Sequence, residues 1–255
     1  MVTHPRFHIF VMTLAVVLST VPAARAADQT PVRNYADCIE RVDQHPEQGL
    51  EQALAWKDFG GGEAAEHCII LAMTALEYYD VAARRLEMLG QTLRRDAASR
   101  AQVLAQAGQA WLLAENPQRA EAALTAALGL APGHPGHLID RARARAALDD
   151  YKGAIADLDI AIASDPSRPE AYVFRAAARR YLGQNGPALA DVEAALRLAP
   201  NHPEALLERG ILKRIAGDEA GARQDWLRLL EVAPDGEAAR LARANIERMD
   251  VKPEK

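Results

Sequence analysis

The sequence carries none of the short motifs that organise common catalytic sites. There is no H-E-x-x-H, no P-loop, no G-x-S-x-G and no G-x-G-x-x-G. Glu63-Ala64-Ala65-Glu66-His67 has the outline of an inverted zincin motif, but Glu stands where the first His must be. Gly60–Gly62 is a glycine run without the Lys-Ser/Thr that would follow it in a phosphate loop. No nucleophile, base and orienting group can be assembled, so no catalytic residue is nominated and no cofactor is expected. An excess of positive charge is missing too: 30 basic side chains stand against 35 acidic ones, a net charge of −5. Such a surface is not built to hold phosphate backbones, and nucleic acid is not expected as a partner. There are only two cysteines, Cys38 and Cys68, with no C-x-x-C spacing and only His67 close by, so no metal site is expected. His134 and His202 hold equivalent places 68 residues apart and read, with nearby His137, as solvated turn residues.

Only the first thirty residues contain a sustained apolar run. Arg6 supplies a short positive segment, Ile9 to Leu18 is apolar except for Thr13, and Pro22 precedes Ala24-Arg25-Ala26. This is the layout of a secretory signal peptide over residues 1–26, cut after Ala26. The competing reading, an uncleaved anchor, needs about 20 apolar residues, and this run is shorter. No cysteine follows the cut to take a lipid, and nothing later is apolar enough to span a bilayer. Removing Arg6 and Arg25 leaves 28 basic against 35 acidic residues, a net charge of −7. The basic residues are nearly all arginine and alanine abounds, as in a GC-rich bacterial genome. With the signal peptide, this codon-usage argument points to a periplasm.

The rest of the chain repeats. Residues 101–134, 135–168, 169–202 and 203–236 align without a gap at a period of 34. Position 8 is Gly108, Ala142, Ala176 and Gly210, and position 20 is Ala120, Ala154, Ala188 and Ala222. Small residues there let two helices, A and B, approach closely. Position 27 is Ala127, Ala161, Ala195 and Leu229. Large apolar residues occupy positions 4 and 24, as in Leu104 with Leu124, Tyr172 with Val192 and Leu206 with Trp226. Pro132, Pro166, Pro200 and Pro234 at position 32 force helix B to stop. Pro135, Pro169 and Pro203 open three A helices, where the missing N–H is no loss.

This pattern resembles the tetratricopeptide repeat family, whose W-x2-L-G-x2-Y…A-x3-F…P signature is matched best on the small residues and the proline. The resemblance implies an all-α fold, a right-handed superhelical solenoid of helix-turn-helix repeats over residues 27–250. Two degenerate repeats are expected upstream. In 63–96, Ala82 and Leu86 take positions 20 and 24, Leu76 to Tyr79 make the turn, and Ala97–Arg100 are extra residues before the next repeat. In 30–62, Gly49, Ala53 and Trp56 take positions 20, 24 and 27 before the glycine break. Residues 237–249 form a capping helix with Ala239, Ala242, Ile246 and Met249 on one face and Arg240, Arg243 and Glu247 facing water. Residues 251–255 read as a disordered polar tail.

Positions 7 and 23 vary together. Arg141/Asp157, Arg175/Asp191 and Arg209/Asp225 recur in three repeats, and the fourth has Ala107 and Ala123. Joint presence and joint absence point to a structural ion pair between helices A and B. The alternative is an arginine ladder that grips a ligand. Cys38 and Cys68 fall on consecutive A helices, which are neighbours in this fold. In an exported protein they read as a disulfide, with two buried thiols as the other possibility.

Helix A lines the concave face that such solenoids use for binding. Positions 2, 5, 9, 12 and 13 are expected to point there, which nominates Gln102, Gln109, Ile139, Arg143, Val173, Ala177, Arg180, Tyr181, Leu207, Ile211 and Arg214. This surface is mostly apolar with three arginines along it. The lysine–asparagine clamp of the family's chaperone-binding members is missing. The groove suits a protein or peptide partner, an amphipathic helix or an apolar segment with some acidic residues. A tightly wound solenoid that fills its own groove is the other outcome. The expected function is a periplasmic, non-catalytic adaptor or scaffold; the alternative is an accessory subunit of an envelope enzyme or of a secretion or polymer-export complex. N-terminal sequencing of mature material should begin at Ala27, and an intact Met1 on membrane-bound protein would contradict export by cleavage.

Overall fold

The computed structural model describes residues 32–250. The expected signal peptide, its cleavage point and the tail at 251–255 lie outside them. Within the described residues the chain is helical throughout. The helices are α1 Tyr35–Gln44, α2 Pro46–Trp56, α3 Gly62–Ala75, α4 Tyr79–Thr92, α5 Ala97–Leu113, α6 Pro117–Leu130 and α7 Pro135–Ala147. They continue with α8 Tyr151–Ser164, α9 Pro169–Tyr181, α10 Asn185–Leu198, α11 Pro203–Ile215, α12 Glu219–Val232 and α13 Glu237–Asp250. Odd-numbered helices are the A members of each pair and even-numbered helices the B members. No helix among the described residues is long and apolar enough to cross a membrane.

The turn from A to B is built the same way five times. Helix A ends on a residue in the left-handed region: Glu77, Glu115, Asp149, Gly183 or Gly217. The next amide then donates to the carbonyl five residues back, as Asn116 does to Trp111 and Asp218 to Lys213. Asn116, Asp150 and Asp218 cap the following helix through their side chains. The prolines at position 32 lie just beyond α6, α8, α10 and α12, and those at position 1 open α7, α9 and α11.

Small residues at position 8 meet the large residue at position 24 of the same repeat. A Cβ on Gly210 would come within 2.3 Å of Trp226 Nε1, and one on Gly108 within 2.4 Å of Leu124 Cγ. Trp226, Leu124, Leu158 and Val192 are accordingly buried. Successive A helices also pack on one another, α5 with α7, α7 with α9, α9 with α11 and α11 with α13. The B helices make no comparable contact, so the A row is the inner, more tightly spaced row.

The upstream segment keeps this architecture with local departures. Ala97–Arg100 are a further turn at the start of α5, which Asp96 caps, rather than a linker. At the glycine run the chain widens through a π-type turn, Lys57–Gly61, with Gly60 and Gly62 at positive φ. Cys38 on α1 and Cys68 on α3 are buried and joined in a disulfide, with a Cα–Cα distance of 6.3 Å. Closing a loop of this length stabilises a fold by roughly 3–4 kcal/mol in the chain-entropy account. The bond ties the repeats that match the pattern least. At the other end α13 is an A helix without a B partner. Its buried Ala239 and Ala242 face α11 and α12, while Arg240 and Arg243 are exposed.

The histidine cluster corrects the reading of solvated turn residues. His134 is exposed and its Nδ1 accepts from the His137 amide, capping α7. His137 is itself buried, 4% exposed, with its ring stacked on His134 at 3.9 Å. Burial, and secondarily the neighbouring His134, lower its pKa to about 4. An unfolded chain protonates this ring near pH 6.5. Between about pH 6.5 and 4 the unfolded state therefore takes up a proton that the fold refuses, and stability falls as pH falls. The loss from this ring is about 1–3 kcal/mol across that window. Position 3 is alanine in the next two repeats, Ala171 and Ala205, so His137→Ala is the natural comparison. Urea melts from pH 7 to 4 should show the variant gaining relative to the native chain as pH drops. A difference that stays flat across the window would contradict the burial argument.

Candidate functional site

The inner row of A helices is the candidate site, and the three position-7 arginines stand at its back. Arg141, Arg175 and Arg209 each present Nε and Nη2 to both oxygens of Asp157, Asp191 and Asp225, at 2.6 to 3.0 Å. The aspartate side chains are 3–5% exposed. Each aspartate also holds a second cation from position 11: Arg145, Arg179 and Lys213, at 2.9, 2.8 and 2.8 Å. The sequence reading pairs one arginine with each aspartate and misses this second partner. Its signal was available, because Arg145, Arg179 and Lys213 recur at the same 34-residue spacing. The repeat lacking the aspartate has buried Trp111 at that place, with Ala107 and Ala123 around it. Three positions therefore change together, not two.

Two of the position-7 arginines also reach back to the preceding B helix. Arg175 Nη1 donates to Asp159 at 2.7 Å and Arg141 Nη1 to Thr125 at 3.3 Å. Hydrogen bonds to Asp157 and Asp225 hold the Arg141 and Arg209 guanidiniums above their ordinary pKa, against the effect of burial. These arginines are committed to the fold, so the ligand-ladder alternative has no free cation at position 7.

The groove residues fall into three groups. Gln102, Gln109, Arg143, Tyr181 and Arg214 are exposed, and Ala177, Arg180 and Ile211 are half-buried. Ile139 and Val173 at position 5 are buried, with Ala105, and this corrects their assignment to the binding surface, whereas Leu207, though largely buried, still lines the C-terminal cleft. Ile139 and Val173 are consumed in the contacts between successive helices of the inner row, where a side chain pointing at the next A helix cannot also point at a ligand.

Position 6 takes part in the inner face, and the sequence reading passes over it. It shares the helical stripe of positions 2, 9 and 13. Asp140 and Glu208 sit there, 9% and 6% exposed. Gln109 Nε2 donates to Asp140 at 2.7 Å, and Arg143 reaches the same carboxylate at 3.4 Å while lying over Phe174 at 5.5 Å. Arg180 donates to both oxygens of Glu208, at 2.5 and 3.3 Å. Burial is the largest influence on Arg180 and acts to lower its pKa, but the hydrogen bonds and charge of Glu208, with Tyr181, together raise it. The guanidinium also stacks on Tyr181 at 4.6 Å, and Tyr181 stacks on Tyr151 at 4.7 Å. At the N-terminal end, Tyr35 OH lies 2.6 Å from His67 Nδ1, and His67 Nε2 lies 2.9 Å from Gln106 Oε1.

The two halves of the inner face thus differ. In the N-terminal half polar side chains answer one another around Asp140 and His67, beside a cavity of about 470 Å³ with Tyr35, His67, Leu89, Leu93 and Gln102 among its walls. The C-terminal half opens into a cleft of about 550 Å³ between α9, α11 and α13, with Ala177, Tyr181, Ile211 and Ile215 among its walls. At position 13, Leu113, Tyr181 and Ile215 are 53%, 61% and 51% exposed, with the small Ala147 between the first two. Among the described residues no three His, Cys, Asp or Glu side chains gather to hold a metal ion.

Comparison with known proteins agrees with this geometry. The profile of the tetratricopeptide repeat family matches residues 107–179. The chain belongs to the tetratricopeptide repeat family. Among solved structures, TTC0263, a thermophilic tetratricopeptide protein of Thermus thermophilus, superposes with a TM-score of 0.61 at 19% identity, over 74% of this chain and 100% of its own. MamA from Desulfovibrio magneticus, residues 41 to its end, gives 0.58 at 20% identity over 68% and 96%. YrrB, described as a tetratricopeptide protein with an unusual peptide-binding site, gives 0.53 at 14% identity over 82% and 97%. At these identities the likeness is one of fold. No curated protein matches.

The clasp makes an asymmetric prediction. Asp191→Ala leaves Arg175 and Arg179 without their shared acceptor and should cost about 1–3 kcal/mol in urea melts. Arg175→Ala should cost less, because Arg179 still holds Asp191. Replacing all three by the Ala107/Trp111/Ala123 set, as Arg175→Ala, Arg179→Trp and Asp191→Ala together, should recover part of the loss. Three additive losses would show that these side chains are not coupled.

Proposed function

We propose that this tetratricopeptide protein is an exported adaptor of the periplasm that binds protein or peptide partners through the inner face of its A helices. The observation that carries the reading is the exposure of Tyr181 and Ile215, at position 13 of successive repeats, in the open C-terminal cleft. Large apolar side chains left in water at one repeat position, next to a concave surface, mark an interaction site rather than scattered exposure. The peptide-binding description of YrrB, a protein of the same fold, is consistent with it. Export is supported by the Ala24-Arg25-Ala26 signature behind a short apolar run. The Cys38–Cys68 disulfide supports it independently, since such bonds persist in oxidising compartments.

Capture from native envelopes tests the reading. The mature chain should retain one or more proteins, and Tyr181→Asp with Ile215→Asp should reduce that capture about tenfold or more, the equivalent of about 1.4 kcal/mol. Both residues are exposed, so the fold should tolerate the change. Ile160→Asp on α8, 50% exposed on the outer row, is the control and should capture normally. Loss of capture with Ile160→Asp alone would move the site to the outer face. A single stoichiometric enzyme among the captured proteins would make the chain an accessory subunit.

A further inference from the structure

The C-terminal half of the groove carries a periodic charge that its apolar walls do not explain. Position 12 is Leu112 and Ala146 in the first two clear repeats, then Arg180, Arg214 and Arg248 on α9, α11 and α13. All three guanidiniums line the same cleft of about 550 Å³, where Glu208 is the one carboxylate. Arg180 is answered by Glu208. Arg214 makes no side-chain hydrogen bond or ion pair among the described residues. Among the described residues Arg248 has one side-chain hydrogen bond, to Asn245 Oδ1 at 3.5 Å. A cleft with surplus positive charge thus sits in a chain whose net charge is −5. Elsewhere on the inner face and in the clasps behind it, buried carboxylates answer the cations.

We propose that this cleft takes an extended segment of a partner protein with a carboxylate at every third residue. The proposal rests on the reading of the inner face as a protein-binding groove and names the chemistry of its occupant. Spacing argues for the periodicity. Packed helices lie about 8–10 Å apart, so the position-12 arginines are presented at about that interval across α9, α11 and α13. A polyproline-type chain has three residues per turn and rises about 3.1 Å per residue. Its residues i, i+3 and i+6 therefore share one face about 9 Å apart, in step with the helices. The residues between the carboxylates would meet Ala177, Ile211 and the exposed faces of Tyr181 and Ile215, which favours small apolar or proline residues there.

Fluorescence anisotropy with the full mature chain tests this directly. The probe is a labelled synthetic peptide of repeated Glu-Pro-Val. Its comparators are a peptide of the same composition with the glutamates contiguous, a helix-forming peptide with glutamate at every seventh residue, and unlabelled copies of the chain as competitor. The spaced extended peptide should bind about tenfold tighter than the contiguous one. Arg214→Gln with Arg248→Gln should lower its affinity about tenfold or more and leave the thermal melt unchanged, since neither side chain supports the fold. Arg180 is left alone because its removal would strand buried Glu208. Equal binding of the contiguous peptide, preference for the helical one, displacement by a second copy of the chain, or indifference to the double variant would each overturn the proposal. If envelope capture is lost with Tyr181→Asp and Ile215→Asp but survives Arg214→Gln with Arg248→Gln, the groove reading stands and this inference falls.

Discussion

Each of the last three clear repeats closes on a carboxylate that has been taken out of water and given two cations. Asp157, Asp191 and Asp225 are 2–4% exposed, and a lone charge at such a depth is strongly unfavourable. The cations come from one turn apart on helix A, and the acid from helix B. The clasp therefore fixes both the rotation of A against B and their axial offset. In two of the three clasps the arginine also reaches the previous B helix, as Arg175 does to Asp159. One polar constraint thus sets the geometry within a repeat and contributes to the step between repeats. Apolar packing at positions 8, 20 and 24 sets only how closely the helices approach.

The inner face follows from the packing of A on B, which the clasp reinforces in three repeats. That packing holds also where the clasp is absent, since Ala105 at position 5 is buried there too. With A and B rotated into place, position 5 turns into the core, as Ile139 and Val173 do, and only Leu207 keeps an edge on the C-terminal cleft. Positions 6, 9, 12 and 13 are left on the concave side. Toward the N-terminus their polar groups answer one another through Asp140, Gln109 and Arg143. Toward the C-terminus the same positions carry isoleucine, tyrosine and arginine, and the cleft stays open. The capping helix α13 extends this open half. It continues the position-12 arginines with Arg248 while presenting Arg240 and Arg243, exposed, where another B helix would otherwise pack.

Much of the fold was legible in the sequence because it rests on steric rules. Glycine or alanine at position 8, alanine at position 20 and proline at position 32 each leave the chain few alternatives. The adjacency of Cys38 and Cys68 followed from their register once the family resemblance placed consecutive A helices side by side. The candidate site was less legible because its residues are chosen by three-dimensional neighbours rather than by local conformation. Position 5 looks like surface until the next A helix is placed beside it. Asp140 and Glu208 look like solvated acids until Gln109 and Arg180 arrive from the preceding repeats. His137 reads as a turn residue, yet it lies one step inside α7 and is buried. The second cation of the clasp was visible as a 34-residue period but was hidden by the change from arginine to lysine at Lys213. Trp111 does not advertise that it stands in for a cation.

The central claim is that ligands meet this chain on the inner row of A helices and toward its C-terminal end. Amide hydrogen exchange of the chain alone, and saturated with a protein captured from envelopes, reads this without any substitution. The account predicts slowed exchange in α9, α11 and α13 on binding, with α8 and α10 unchanged. Protection confined to α8, α10 and α12, or spread evenly along the solenoid, would contradict it.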